Sequence, residues 1–184
     1  MNTDSSCSFW YVMRTTYGRE RRAVDYMQRH GARTFFPTKQ QKKVTSAGKV
    51  ILQETGLLPN LFFLYATEEE AKSFAYDNTH LPFLRFYYNQ HHDGTKEPLK
   101  VSNSEIESLR ILSEAHASDI LFVPDTVNKF QTGQRVRIID GAFKGITGIV
   151  SRWHGQQRVG LNISGISTVS TAYVPTAFLE KISE

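Results

Sequence analysis

Hydrophobic positions follow two different rhythms along the chain, and the change comes late. Phe9 to Thr15 reads F-W-Y-V-M-R-T, apolar on both alternating sets, which predicts a strand covered on both faces. From Arg19 to His30 the spacing turns helical. Ala23, Val24, Met27 and His30 share one face, Arg21, Arg22 and Arg29 fall largely elsewhere, and Gly31 is placed to end the helix. Arg33 to Pro37 predicts a second strand carrying Phe35 and Phe36. The run K-Q-Q-K-K-V-T-S-A-G-K-V-I-L that follows predicts a β-hairpin turning at Ser46-Ala47-Gly48, with a basic, mobile tip. After Pro59-Asn60, Leu61 to Ala66 is a strongly apolar strand. Thr67-Glu68-Glu69-Glu70 is a capping-box pattern: the hydroxyl accepts from a free helix N–H and the third glutamate reaches back. The helix it opens buries Ala71, Phe74 and Ala75. Leu84 to Asn89 predicts another strand. Ser102 to Glu105 repeats the capping pattern and opens a third helix through Ile106, Leu109 and Leu112. Ala115 to Phe130 keeps no helical period, contains Pro124, and is expected to be a linker.

Beyond it only strand rhythm remains. Val136 and Ile138 alternate with Arg135 and Arg137, Asp140-Gly141 breaks the run, and Ile146 to Trp153 resumes it. Phe143, inside the glycine-rich turn, would pin that turn to a small core. Val159, Leu161 and Ile163 alternate with Arg158, Gly160 and Asn162, and Val169 to Val174 and Phe178 to Ile182 follow. The expected class is therefore α+β: an α/β sandwich, mainly an antiparallel sheet with helices on both faces, then a small five-stranded β-barrel. The expected divisions are residues 8–116, a linker at 117–129, and 130–184.

A chain of 184 residues, 40% hydrophobic, suits one domain or two small ones. Residues 1–7 are polar and expected to be disordered. The single cysteine, Cys7, leaves no internal disulfide framework and fits a reducing cytosol. There is neither a membrane-length apolar run nor a basic-then-apolar secretory pattern. The formal charge of +4 hides an asymmetry. Arg14 to Lys49 carries ten Lys/Arg and two acids, whereas Val50 to Asp125 carries five and twelve. The first block is fit to attract a polyanion and the second is not. The plain alternative for either is a solvated face.

Two kinds of chemistry have no candidate residues. His30, His80, His91, His92, His116 and His154 lack neighbouring cysteines or acids at metal-ligand spacing and read as loop histidines, so no metal site is expected. No nucleophile elbow and no phosphate-binding lysine loop occurs, so neither an enzyme nor a cofactor is expected.

The stretch from Gly133 to Val150, G-Q-R-V-R-I-I-D-G-A-F-K-G-I-T-G-I-V, resembles the KOW motif of NusG-type transcription factors and several ribosomal proteins, with Gly141, Phe143, Gly145 and Gly148 in the motif. A generic hairpin of any small barrel is the alternative. Trp10-Tyr11-Val12 with Gly18 and Glu20 resembles the opening W-Y-V and G-x-E of the NusG family. Pro59-Asn60-Leu61-Phe62-Phe63 is similar to its P-G/N-Y-x-F strand, although Leu61 replaces the tyrosine. Three motifs in the right order cover nearly the whole chain. Asn60 to Phe63 running into Ala66-Thr67, and the tail Ser170 to Pro175, resemble the UpxY branch, specialised antiterminators of capsular polysaccharide operons.

The resemblance implies a NusG N-terminal (NGN) domain followed by an SH3-like KOW barrel. It implies a cytoplasmic, nucleoid-associated monomer that binds the clamp helices of RNA polymerase and promotes read-through. A ribosome-associated, RNA-binding KOW protein is the alternative. Leu61, Phe62 and Phe63 are the candidate polymerase-binding residues, against the reading that they fill the sandwich core. Arg14, Arg19, Arg21, Arg22, Lys39, Lys42 and Lys43 are the candidates for non-template DNA or nascent leader RNA. The I-F-G-R loop through which the housekeeping factor meets a ribosomal protein and Rho aligns on Gly165, Ile166, Ser167 and Thr168. Phenylalanine and arginine are both missing there, which weakens the expectation of those partners and favours a specialised paralogue.

Overall fold

Apolar strands with few turns between them must find partners far along the chain, and the pairing they choose decides what each loop carries. The structure is a computed structural model that describes residues 7–91, 93–115, 119–123 and 133–182. Residues 1–6, most of the expected linker, His92 and His116 lie outside the described residues. Two compact units emerge: residues 1–37 with 58–103, and residues 38–57 with 104–184.

In the first unit, β1 (Phe9–Thr15) is central. It pairs antiparallel with β5 (Leu61–Ala66) on one side, and with β6 (Leu84–Phe86) and β9 (Lys100–Val101) on the other. The short β2 (Arg33–Phe35) extends the sheet beyond β5. Side chains alternate across a sheet, so Tyr11 and Met13 share a face with their partners Leu64 and Phe62. That face meets Ala23, Val24 and Met27 of α1 (Glu20–Arg29) and Ala71 of α2 (Glu68–Lys72) in one buried cluster. Burial of this face is the unit's main source of stability. Both helices therefore cover the same face.

Local signals govern the helix ends. Thr67 forms the expected capping box with Glu70, and a π turn, residues Ser73–Asp77, continues α2 and keeps Ala75 in the core. Gly31, at φ +81°, follows α1 where a side chain would be strained. The predicted strand Leu84 to Asn89 is divided. Its second half is β7 (Tyr88–Gln90), which pairs with β8 (Lys96–Pro98) in a separate ribbon.

The second unit holds a ribbon, β3 (Thr38–Val44) with β4 (Val50–Gly56), a helix α3 (Asn103–Glu114, all but its first residue), and a six-stranded antiparallel sheet. The ribbon base is latched to α3. The Thr38 N–H donates to Ser113 Oγ at 2.9 Å, and that hydroxyl donates to Thr38 O at 2.9 Å. The sheet runs β10 (Leu121–Val123), β14 (Ser167–Ser170), β13 (Gln156–Ile163), β12 (Thr147–Trp153), β11 (Arg135–Ile138) and β15 (Leu179–Lys181).

Strand β10 is a departure from expectation, because it lies inside the stretch expected to be an irregular linker. Three residues next to a proline carry too short a pattern to be read as a strand. What holds it is long-range. Leu121 to Val123 pair with Ser170 to Thr168, and Ser167 Oγ donates to Val123 O. Just before it, the buried Arg158 guanidinium donates to Asp119 Oδ2 and to Asp119 O, each at 2.6 Å. The glycine turn behaves as its composition demands. A Cβ on Gly148 would sit 2.3 Å from Gly160 O, so only glycine lets β12 approach β13 this closely. Phe143 is buried, as a residue pinning the turn must be.

Candidate nucleic-acid interface

Among the sequence-predicted residues, the arginines of the first unit stand on the two elements joined by one turn, Arg14 on β1 and Arg19, Arg21 and Arg22 at the start of α1. Strand β1 ends at Thr15, and the chain reverses through Tyr17 (φ 59°) and Gly18 (φ 66°) into α1. Left-handed backbone at a tyrosine is uncommon and is held from outside. The brace is Asn60, itself at φ 61°: its carbonyl accepts from Thr15 N–H at 2.9 Å, and its Oδ1 accepts from Gly18 N–H at 3.3 Å. Tyr17 is left 90% exposed at the tip. An aromatic ring on a fixed backbone and in solvent is a stacking surface.

Arginines lie on the elements that flank that turn in the chain. Arg14 is the last exposed side chain of β1. Its partner across the sheet is Arg85 of β6. Like charges directly opposite each other weaken a strand pair. Arg85 is fixed by donating to Pro82 O at 3.0 Å and Leu84 O at 2.6 Å. At the start of α1, the Arg19 and Arg22 guanidinium groups lie over the Phe83 ring, at 5.2 and 5.5 Å. Arg21 lies over Phe36 at 5.8 Å. Three cations at the positive end of a helix dipole are again unfavourable for folding. Cation–π contact offsets part of that cost and orients the guanidinium planes. A flat, oriented guanidinium suits bidentate contact with phosphate.

Arg85 and Tyr17 were missed by sequence reasoning. Arg85 lies in the acidic block, and only the β1–β6 pairing, which no local pattern encodes, brings it to Arg14.

The lysines make a separate group on the second unit's ribbon. Lys42 and Lys43 are exposed near its tip. Lys39 is half-buried, and its ammonium donates to Ile120 O at 3.4 Å, which makes it a tether rather than a free cation.

The proposed polymerase-binding trio is buried. Phe62 lies in the helix-covered core. Leu61 and Phe63 point to the other face and are also buried, Phe63 with no exposed surface and its ring stacked on Phe35 at 6.0 Å. In the later loop, Gly165 is exposed at φ 75°, Ile166 and Ser167 are buried, and Thr168 pairs with Val123. Of the glycine motif, Gly141 and Gly145 are exposed turn residues at φ 81° and 98°.

Exposed aromatic surface gathers elsewhere in the first unit, where Tyr76 and Tyr88 share a hydrogen bond between their hydroxyls beside Phe86. Burial, and then the Tyr76 hydroxyl, push the Tyr88 phenol up to about 12. Tyr11, on the central strand β1, is raised chiefly by burial and further by the Glu68 carboxylate. No group of three or more histidine, cysteine, aspartate or glutamate residues able to hold a metal occurs among the described residues. Among the described residues no helix is long and apolar enough to cross a membrane.

A sequence model of the family described as transcription termination factor NusG matches residues 8–110, more than half of the chain and all of β1 through β9. No match was found among curated proteins.

Proposed function

The chain belongs to the NusG family of transcription factors, and from that premise we propose that it is a polymerase-bound elongation and antitermination factor of the specialised, UpxY-like kind. The observation that carries this reading is that the matched segment contains the whole arginine-lined turn around Tyr17. In this reading the first domain spans residues 8–116, residues 117–129 connect it, their strand β10 added to the edge of the six-stranded sheet beside β14, and residues 130–184 form a KOW barrel. The first domain holds the polymerase clamp helices. Leu61 and Phe63, being buried, act through the shape of the strand beneath that surface and not by direct contact. Arg14, Arg19, Arg21, Arg22 and Arg85 meet the phosphates of the displaced DNA strand or of nascent leader RNA, and Tyr17 offers a ring on which a base can stack. The altered loop at Gly165 to Thr168 supports a factor released from the partners of the housekeeping protein. Its place is then the cytoplasm, at the nucleoid, and its targets are operons such as those for capsular polysaccharide.

Tagged protein purified from cells should bring down polymerase subunits, and added to transcription in vitro it should increase read-through of terminators. Recovery of ribosomal particles without polymerase would overturn the reading in favour of a ribosome-associated KOW protein.

A further inference from the structure

The ribbon β3–β4 presents two kinds of side chain that seldom share an exposed surface. Its register places Val44 opposite Val50 and Lys42 opposite Leu52, so these four lie on one face. Lys43 and Ile51 form the next pair on the other face. Val44, Val50 and Leu52 are 65%, 59% and 65% exposed. Lys42 lies on that face, Lys43 on the other and Lys49 just before Val50 at the turn, and none of the three makes an ion pair among the described residues. The turn is closed by Thr45, whose N–H donates to Lys49 O and whose Oγ1 accepts from Lys49 N–H. A two-stranded ribbon gains little stability from side chains left in water, so an aliphatic cluster there calls for a partner.

The composition discriminates among partners. Between Thr38 and Gly56 there is no aromatic residue, no arginine and no methionine. Protein interfaces are enriched in those residues and depleted in lysine. Membrane surfaces are entered with tryptophan, tyrosine or phenylalanine. Four lysines against the single Glu54, with Gln40, Gln41 and Gln53 between them, match a phosphate backbone instead. Small aliphatic side chains at a basic tip match the apolar wedges that enter DNA base steps from the minor groove.

We propose that the β3–β4 ribbon is a wedge for double-stranded DNA: Lys42, Lys43 and Lys49 grip phosphates while Val44, Val50 and Leu52 press against a base step and bend the duplex. The inference rests on the nucleic-acid reading of Lys42 and Lys43 made above, and extends it to a duplex, to Lys49 and to three aliphatic residues. Flexible pyrimidine–purine steps would be the preferred target, because they unstack most easily.

The test uses the full chain and a DNA duplex of about 30 base pairs, long enough to report a bend, with a central TA step and a fluorophore at each end. Energy transfer reads bending and anisotropy reads affinity. The variant V44T/V50T/L52T keeps strand propensity while removing the apolar surface. It should bind with an unchanged salt slope and no longer bend the duplex. The variant K42Q/K43Q/K49Q should make the slope of log K against log salt shallower by about 2.7, at about 0.9 per phosphate released. Bending by the threonine variant equal to wild type, or an unchanged slope in the glutamine variant, overturns the wedge. So does equal affinity for duplex RNA without bending of DNA, or binding only to vesicles containing anionic lipid. Read-through by a wild-type protein that ignores the duplex sinks the wedge and leaves the elongation-factor reading standing. Bending of DNA by a protein that recovers no polymerase does the opposite.

Discussion

The two basic regions differ in how their cations are held. Around Tyr17 the charges are arginines, laid on Phe83 and Phe36 or fastened to the carbonyls of Pro82 and Leu84, at the end of a sheet with a packed core. On the ribbon they are lysines on an otherwise solvent-exposed pair of strands, latched at the base and free at the tip. Arginine spends its planarity on a fixed orientation, and lysine keeps a rotatable point charge. The first region is suited to a ligand whose phosphates arrive in a set geometry. The second is suited to one whose shape is changed by binding. The contrast also predicts different couplings to global stability, because only the first region is built on a core.

The largest effect should follow from loosening that core. Phe62 is fully buried between the sheet and its helices, so Phe62→Ala should cost about 3–5 kcal/mol of unfolding free energy. Nucleic-acid binding at the arginine turn should fall with it. Leu52→Thr on the ribbon should stay within about 0.5 kcal/mol. Chemical denaturation of the two variants measures both. Equal losses would mean that the ribbon is as tightly coupled to the fold as the sheet is.

A middle-sized effect is expected where a rigid element of the second unit is overfilled. Gly148→Ala drives a methyl group into the Gly160 carbonyl and should cost about 1–3 kcal/mol. A melting curve overlaying wild type would show that β12 and β13 can separate at little expense, and that the second unit is soft throughout and not only at its ribbon.

Local patterns revealed much of this and missed the rest for a physical reason. The capping box at Thr67, the end of α1 at Gly31 and the ribbon turn at Ser46 to Gly48 are fixed within a few residues, and they fold as read. Strand β5 was legible as a strand, but the burial of Leu61 and Phe63 depends on what covers the second face, about which its own six residues say nothing. Arg85 meets Arg14, and Val123 meets Thr168, across separations of 71 and 45 residues. No periodicity in either partner records such a pairing. The aliphatic tip was visible in sequence as V-I-L beside lysines. Its exposure was not, because the same alternation would serve a buried hairpin equally well.

Arg14 and Arg85 offer a smaller effect with a signature that packing residues cannot imitate. Relieving a like-charge pair should stabilise the sheet slightly, by about 0.2–1 kcal/mol. Arg85→Gln removes that repulsion but also the hydrogen bonds to Pro82 O and Leu84 O, so the melting temperature should stay near wild type while binding to an elongation complex weakens. Replacing both arginines should make the salt slope shallower by about 1.8. A purely structural role would lower stability and leave the slope alone.

The smallest and sharpest test exchanges the two chemistries without changing charge. Arg19→Lys with Arg22→Lys keeps two cations at the start of α1 but removes the planes that lie over Phe83. A cation–π contact at an exposed site is worth about 0.5–1 kcal/mol, and lysine retains part of it. Stability should move by no more than that. Binding should weaken several-fold with an unchanged salt slope, because the number of neutralised phosphates is the same and only their bidentate geometry is lost. The reciprocal exchange, Lys42→Arg with Lys43→Arg on the ribbon, should leave duplex binding within a factor of about two, since a point charge and a fork serve alike where no neighbouring ring or carbonyl orients them. Measuring both exchanges against the same nucleic acid at two salt concentrations separates orientation from charge. If the ribbon responds as strongly as the turn, its lysines too are held in a fixed geometry, and the distinction between a preset surface and a deformable one disappears.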